Sequence, residues 1–329
     1  MSKVRFAILG TAKIARTLAP RIHASARVEL VGIASRNSES AEAFAREFNI
    51  PQTYDSYQAA LDDPQIDAVY MPLPPSLHQE WTEKAAAAGK HVLSEKPLAR
   101  NVTEVDRMIN VCRNAGVVLL DGVMWYHTSR CTAIKDVIHS GELGELRQIT
   151  SVFTFRWDSL PMDNLRLHRD LGGGSLLDLG WYCVGGTLLL YDDLPVKVQA
   201  FALWENDVDV RMNAFLWFSN DRMATIECGF DTVRRRWMEV AGAKAALVCD
   251  DFTRPWNPDK PRFWIHNNDG QADQRITPHP PQEECMVDAF CDLIASQQIN
   301  HPLLQLARNT QLVCDALDRS AREGQSISL

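Results

Sequence analysis

The first 122 residues alternate short apolar runs with amphipathic stretches, and this alternation limits the possible folds more than any other feature. The apolar runs are Val4–Leu9, Val28–Ala34, Ala68–Met71, His91–Ser94 and Val117–Leu120. Helical periodicity is predicted between them, over about residues 12–25, 38–48, 76–88 and 101–115. Apolar strands that alternate with helices predict a doubly wound parallel sheet covered on both faces.

The pattern changes after about Leu146, where apolar and polar residues alternate with a period of two. Such strands are typical of an antiparallel sheet with one wetter face. Residues 252–281 are rich in Pro, Asn and Asp and are interpreted as long loops, and two helices are predicted near 283–296 and 303–323. We therefore expect an α/β chain with a dinucleotide-binding domain over residues 1–122. A second α+β domain, with an open and mostly antiparallel sheet, is expected over residues 123–329.

A glycine-containing turn joins the first strand to the first helix. The segment Gly10-Thr11-Ala12-Lys13-Ile14-Ala15 matches the GxGxxG/A fingerprint of dinucleotide-binding folds, with Ala12 at the second glycine. In that fingerprint the first glycine makes the tight turn, and small residues let a pyrophosphate approach the backbone. A strand–helix turn without a ligand is the alternative, but the position within a βαβ series favours a dinucleotide.

The end of the second strand carries a signal for the choice of cofactor. NAD enzymes usually place an acidic residue there to bind the ribose hydroxyls. This chain instead has Ser35 and Arg36, which are suited to a 2′-phosphate. The sequence therefore favours NADP, with NAD possible; a solvated loop arginine is the alternative.

Two further segments carry groups that can transfer protons. Glu95-Lys96-Pro97 follows a predicted parallel strand, at the sheet edge where doubly wound folds bind ligands. Three glycines, Gly172–Gly174, precede a predicted helix on which Asp178 and Tyr182 are four residues apart and so share a face. Each segment alone is also compatible with an ordinary turn or an amphipathic helix.

Taken together and in this order, the fingerprint, Glu-Lys-Pro and the GGGxLxDxGxY segment resemble the glucose–fructose oxidoreductase/inositol dehydrogenase/MocA family over essentially the whole chain. With Tyr182 in place of a family histidine, the chain is similar to the branch of dihydrodiol dehydrogenases and NADP-dependent D-xylose dehydrogenases. The resemblance implies that Lys96 is the catalytic lysine, that the Lys96–Pro97 peptide is cis, and that the second-domain sheet serves oligomerisation.

Other positions are assigned by the resemblance alone. Pro72, Leu73 and His78 match the loop beside the nicotinamide, with Pro75 in place of a family asparagine, although a helix-surface histidine is an alternative for His78. Glu95 is placed with them at the cofactor. Four residues are expected at the substrate: Trp125, Asn164, Arg166 and Trp181. For the two tryptophans, a place in the core is the commoner outcome. The run Arg234–Arg236 is interpreted as a solvated strand or turn.

Composition excludes several classes of function. With 34 Lys plus Arg against 42 Asp plus Glu, the formal net charge is −8, which disfavours nucleic acid and anionic membranes as partners. No apolar run approaches the roughly 18 residues of a membrane span. The eight cysteines form no CxxC pair and are interpreted as buried thiols of a cytoplasmic protein. The histidines are not clustered, so no metal site is expected.

These observations predict an oxidoreductase that moves a hydride between a nicotinamide and a CH–OH carbon of a sugar, cyclic polyol or dihydrodiol. Lys96 is expected to polarise the reacting oxygen, Tyr182 to exchange the proton and Asp178 to position them, in a cleft between the domains. We expect a homo-oligomer that assembles through the second-domain sheet. The alternatives are a sugar-transforming enzyme that retains its cofactor and a dinucleotide-binding sensor without turnover.

Overall fold

The computed structural model describes residues 3–157 and 164–329. The chain forms two compact units. The first contains residues 1–123 together with 281–305, and the second contains 124–280 and 306–329. The first unit therefore includes a segment that is remote in sequence, which a single boundary near residue 122 does not describe.

The first unit is built on a six-stranded parallel sheet with the order β3-β2-β1-β4-β5-β6. Its strands are β1 (Val4–Leu9), β2 (Val28–Ala34), β3 (Gln52–Tyr54), β4 (Ala68–Met71), β5 (His91–Ser94) and β6 (Leu119–Asp121). The central strands β1 and β4 are almost entirely buried because helices cover both faces. The predicted doubly wound sheet is confirmed, and β3 is an additional edge strand.

Five helices connect these strands: α1 (Lys13–Ala24), α2 (Ser38–Phe48), α3 (Tyr57–Asp62), α4 (Pro75–Ala87) and α5 (Val102–Ala115). Capping residues and a glycine mark the ends of two of these helices. Asn37 and Asn101 cap α2 and α5 through their side chains, and Gly116 ends α5 in the left-handed region. The short α3 was not predicted, because six residues carry too little periodicity to be recognised.

The second unit contains a nine-stranded mixed sheet with the order β14-β13-β12-β11-β7-β10-β9-β8-β15. Its longer strands are β7 (Leu146–Arg156), β8 (Lys197–Glu205), β9 (Val208–Trp217), β10 (Met223–Gly229) and β11 (Asp231–Gly242). The shorter ones are β12 (Ala245–Cys249), β13 (Arg262–Asn267), β14 (Ala272–Ile276) and β15 (Ile327–Ser328). Within this second sheet, only β7 and β10 pair in parallel among the residues that the structure describes, so the expected mostly antiparallel sheet is confirmed.

The described part of the chain contains four further α-helices: α6 (Ser129–His139), α7 (Trp181–Tyr191), α8 (Gln282–Ala295) and α9 (Pro302–Glu323). Helix α7 lies on one face of the second sheet, where Gly186 lets it approach Met238 of β11 closely. The prediction of long loops over 252–281 is wrong in part, because this segment contains the hairpin β13–β14. Its proline and asparagine residues lie mainly outside these two strands. They dominate the composition of the segment, so the short alternation of apolar and polar residues within the strands was not recognised.

Candidate active site

The turn after β1 has the geometry that the fingerprint requires. Gly10 adopts φ +110° and donates its backbone N–H to the carbonyl of Ala34, at 2.8 Å. A Cβ atom at Gly10 would lie 3.1 Å from Cδ2 of Leu73, so a larger residue would meet both backbone strain and a steric contact. This glycine lets the chain enter helix α1 directly and keeps its surface open to a ligand.

The first turn of α1 provides backbone donors without a side-chain cap. Ala12 is the N-cap residue and makes no capping hydrogen bond through its side chain, and no acidic residue lies in the first turn. Lys13 and Ile14 follow, and Ala15 is fully buried, so the helix packs closely on the sheet. A helix N-terminus with unused N–H groups binds anions such as a pyrophosphate. The residues of this turn therefore fit a dinucleotide.

Ser35 and Arg36 extend this region at the end of β2. The buried hydroxyl of Ser35 accepts a hydrogen bond from the backbone N–H of Asn37, at 3.2 Å. The Arg36 side chain is exposed and makes no ion pair with another described residue. Ser35 thus shapes the turn, and Arg36 provides a guanidinium that is available to a ligand.

Lys96 follows β5 at the same carboxyl edge of the parallel sheet as Gly10 and Leu73. The preceding carboxylate of Glu95 is buried, and it accepts hydrogen bonds from Tyr70 Oη at 2.7 Å and from the backbone N–H of Lys96 at 3.3 Å. A Cβ at Gly122 would come within 3.1 Å of Glu95 Oε1. Glu95 is therefore held in place and orients the backbone of Lys96. The Lys96–Pro97 peptide is cis, as the resemblance implied.

The buried side chain of His78 contacts two loops at this edge of the sheet. Its Nε2 lies 2.8 Å from the carbonyl oxygen of Leu73, and its Nδ1 lies 3.0 and 3.1 Å from those of Pro97 and Leu98. The ring is completely buried, and burial lowers the pKa of His78. The expectation that His78 lines the cofactor site is therefore corrected, and so is the alternative of a helix-surface histidine. The ring braces the loops that follow β4 and β5 instead.

The glycine-rich segment of the second unit forms a tightly packed turn. Gly174 adopts φ +108°, and a Cβ there would lie close to Oδ1 of Asp209. The buried Asp209 carboxylate accepts hydrogen bonds from Ser175 Oγ at 2.6 Å and from the backbone N–H of Leu176 at 2.7 Å. Asp209 therefore holds the start of the segment that carries Asp178 and Tyr182. Sequence reasoning missed it, because Asn206-Asp207-Val208-Asp209 has the composition of an ordinary turn.

Asp178 lies in a π turn, Leu176–Gly180, that leads into α7. Because this turn is wider than an α-helical turn, the prediction that Asp178 and Tyr182 share the face of one regular α-helix is wrong. Asp178 Oδ2 pairs with Arg166 Nε at 2.5 Å, and the Arg166 guanidinium lies 5.0 Å from the ring centre of Trp157. The Tyr182 ring packs edge-on against Phe153 of β7, with 5.5 Å between the ring centres.

The remaining predicted substrate residues differ in their surroundings. Asn164 accepts a hydrogen bond from the backbone N–H of Arg166 at 3.1 Å, so its side chain caps a short 3₁₀ turn. Trp125 and Trp181 are 1% and 0% exposed. The expectation that these two indole rings face a substrate is corrected: both lie in the core, because each aromatic ring finds enough apolar neighbours to bury it.

Two negative findings apply to the described residues alone. Within 3–157 and 164–329, no helix is long and apolar enough to cross a membrane. In the same ranges, no group of three or more His, Cys, Asp or Glu side chains is arranged to hold a metal ion.

Comparison with known proteins identifies the family. Residues 4–122 match the model of an oxidoreductase family with an NAD-binding Rossmann fold, and residues 131–248 match the GFO/IDH/MocA C-terminal domain. The chain belongs to the GFO/IDH/MocA family, and it is an oxidoreductase with a nicotinamide-dinucleotide-binding domain. The resemblance found in the motifs is thereby confirmed.

Three relatives illustrate the match. The D-xylose 1-dehydrogenase (NADP(+)) 2 of Haloferax volcanii is 38% identical, over 98% of this chain and 99% of that protein. The trans-1,2-dihydrobenzene-1,2-diol dehydrogenase of Mus musculus is 29% identical, over 70% and 69%. The crystal structure of KijD10, a 3-ketoreductase from Actinomadura kijaniata in complex with NADP and TDP-benzene, superposes with a TM-score of 0.90 at 29% identity, over 97% of this chain and 98% of that one.

Proposed function

We propose that the protein is an NADP-dependent dehydrogenase or reductase acting on a CH–OH carbon of a sugar, cyclic polyol or dihydrodiol. The observation that carries the proposal is the arrangement at the carboxyl edge of the parallel sheet. There the open turn at Gly10, suited to a dinucleotide, and the oriented backbone of Lys96 occur at the ends of strands in one sheet. The relatives that act on xylose and on a dihydrodiol support this substrate class.

The preference for NADP is supported by the end of β2. No carboxylate stands there to repel a 2′-phosphate, and the exposed Arg36 guanidinium is free of ion pairs with the described residues. Guanidinium binds phosphate through charge-assisted and often bidentate hydrogen bonds. The relative from Haloferax volcanii, whose name specifies NADP(+), agrees with this preference.

The proposed chemistry divides roles among the chain's own groups. A bound nicotinamide would supply or accept the hydride. The Lys96 ammonium donates a hydrogen bond to the reacting oxygen and stabilises negative charge on it. The Tyr182 hydroxyl exchanges the proton with that oxygen. Asp178 orients the reacting groups, and its ion pair with Arg166 holds Asp178 itself in one orientation.

The test is a search for turnover with the purified protein. We expect a change in nicotinamide absorbance with at least one member of a panel of aldoses, cyclic polyols and dihydrodiols, and with NADP in preference to NAD. Cofactor content after extensive dialysis separates the alternatives: a nucleotide that stays bound and is recycled between two sugars indicates a sugar-transforming enzyme. Tight dinucleotide binding without hydride transfer to any substrate would support a sensor and contradict the proposal.

We further propose self-association through the second-unit sheet and a cytoplasmic location. Large apolar side chains are exposed on that sheet, and a patch of this kind is typical of an interface. All eight cysteines are free thiols, which agrees with a reducing compartment.

A further inference from the structure

One arginine of the run Arg234–Arg236 differs from its neighbours. Arg234 is exposed, and Arg235 pairs with Glu227, so both fit the solvated strand expected from the sequence. Arg236 is only 7% exposed. Its guanidinium lies 3.8 Å from the ring centre of Trp256, and its buried Nε has no hydrogen-bond partner. A buried N–H group without a partner is rare, because it loses hydration without compensation.

The nearby carboxylate of Asp251 does not satisfy Arg236. Asp251 Oδ1 pairs with Arg130 Nη1 at 2.5 Å, and Oδ2 accepts the backbone N–H of Trp256 at 2.6 Å. Burial, together with the positive charges of Arg234, Arg254 and Arg130, lowers the pKa of Arg236 to about 10, in spite of the opposing effect of Asp251. Three arginines and one aspartate therefore act on Arg236, and a bound anion would give its guanidinium a second negatively charged neighbour.

The location of Arg236 connects it to the candidate active site. In the sheet, Arg236 of β11 lies directly opposite Phe153 of β7, so both side chains project from the same face. This is the face on which α7 packs, because Met238, two residues further along β11, touches α7 at Gly186. Phe153 is also the ring against which Tyr182 packs. Arg236 is therefore the cross-strand neighbour of the residue whose ring contacts Tyr182, within the second unit.

We propose that Arg236 is a specificity-determining residue that binds an anionic group of the substrate, a carboxylate or phosphate, while Tyr182 faces the reacting carbon. The planar guanidinium suits the paired oxygens of either anion, and Trp256 fixes its plane. The substrate class of the site is then a sugar or polyol derivative with an acidic group beyond the reacting carbon. This inference rests on the proposed role of Tyr182 as the proton-transfer group.

The test compares three ligands with the same ring: D-glucose, D-glucuronate and D-glucose 6-phosphate. Their binding is measured by calorimetry at constant ionic strength without cofactor, so that no turnover is needed. We expect at least tenfold tighter binding of one or both anionic sugars than of glucose, as a charge-assisted contact implies. Which anion binds more tightly identifies the group as a carboxylate or a phosphate.

Variants then assign this preference to Arg236. Arg236→Gln should remove the preference and leave glucose binding within about twofold, whereas Arg147→Gln, which removes an exposed charge on β7, should preserve it. Arg236→Lys keeps the charge without the planar fork and should weaken the preference, which provides the test if Arg236→Gln does not fold. Equal binding of all three sugars by the native protein, or an unchanged preference in both variants, would overturn the proposal. Anion binding through Arg236 without hydride transfer to any substrate would instead contradict only the proposed oxidoreductase chemistry.

Discussion

At the scale of single residues, we expect the choice of cofactor to depend on the exposed Arg36 guanidinium. We expect the native protein to bind NADPH more tightly than NADH, and Arg36→Ala to lose that difference. A charge-assisted phosphate contact of roughly 1.5–3 kcal/mol corresponds to about ten- to a hundredfold discrimination. Fluorescence titration of both nucleotides measures it, with Arg46→Ala, an exposed arginine of α2 paired with Glu42, as the control. Equal affinities in the native protein would show that Arg36 does not contact the 2′-phosphate.

Lys96 and Tyr182 are expected to act on one reacting oxygen. Lys96→Ala and Tyr182→Phe should each slow single-turnover hydride transfer by roughly a hundredfold or more, the usual scale for acid–base groups. Cofactor affinity should change much less, because the turn at Gly10 and Arg36 remain intact. The two losses should be non-additive in the double variant if the groups act as one unit. Lys84→Ala, at an exposed lysine of α4, serves as the control.

An unaltered rate in Tyr182→Phe would mean that the proton leaves by another group. Strictly additive losses in the double variant would instead show that Lys96 and Tyr182 act in independent steps.

Asp209 should make the stability of the protein depend on pH. Burial raises the pKa of this carboxyl from 3.8 to about 7, against the hydrogen bonds from Ser175 and Leu176. The folded state binds the proton of Asp209 more tightly than the unfolded state does. The stabilisation of the folded state by this proton is therefore complete below about pH 4. It is lost as the pH rises through about 7. We expect the free energy of unfolding to fall by about 2–4 kcal/mol between pH 5 and pH 8 from this group.

Asp209→Asn should remove that part of the decline, as measured by denaturant unfolding across the pH range. Asp269→Asn, at an exposed turn acid, should leave the slope as in the native protein. Parallel pH profiles of the native and Asp209→Asn proteins would show that another group carries the dependence.

At the scale of structural elements, the π turn and the glycines before it determine the positions and orientations of Asp178 and Tyr182. We expect Gly174→Ala to be more destabilising than Gly270→Ala. Both glycines have positive φ, at +108° and +77°, but only Gly174 has a neighbour, Asp209, where the new Cβ would lie. The backbone penalty of roughly 1–2 kcal/mol applies to both variants, and the clash applies to Gly174 alone. Thermal unfolding measures the difference, and equal losses would show that Asp209 can move aside.

At the scale of the whole molecule, the open face of the second sheet predicts self-association. Phe201, Leu203, Phe215 and Trp237 are 61%, 50%, 44% and 38% exposed, and the pairing places them on the face opposite α7. We expect a two-fold homodimer by light scattering at micromolar concentration, and dissociation in Phe201→Glu/Phe215→Glu. A control pair that adds two glutamates at exposed positions of helix α5 in the first unit, Arg107→Glu/Asn114→Glu, should leave the mass unchanged. A monomeric native protein would contradict the proposal.

The sequence by itself determined five of the six strands of the first sheet, the fingerprint turn and the family. Strand and helix periodicity, turn glycines and caps are local properties, and they extend over enough consecutive residues to be recognised. Gly10 illustrates this, because its role follows from a turn between two adjacent elements. Lys96 could likewise be placed at the sheet edge, since it directly follows a predicted strand.

Only the tertiary structure decided which side chains are buried and with what partners. His78 braces two loops through carbonyls as far as 20 residues away, and Trp125 and Trp181 lie in the core. Arg236 differs from its exposed neighbour Arg234 because it is buried and stacks on Trp256, 20 positions further along the chain. Burial and charge depend on contacts between residues distant in sequence, and no local pattern records those contacts.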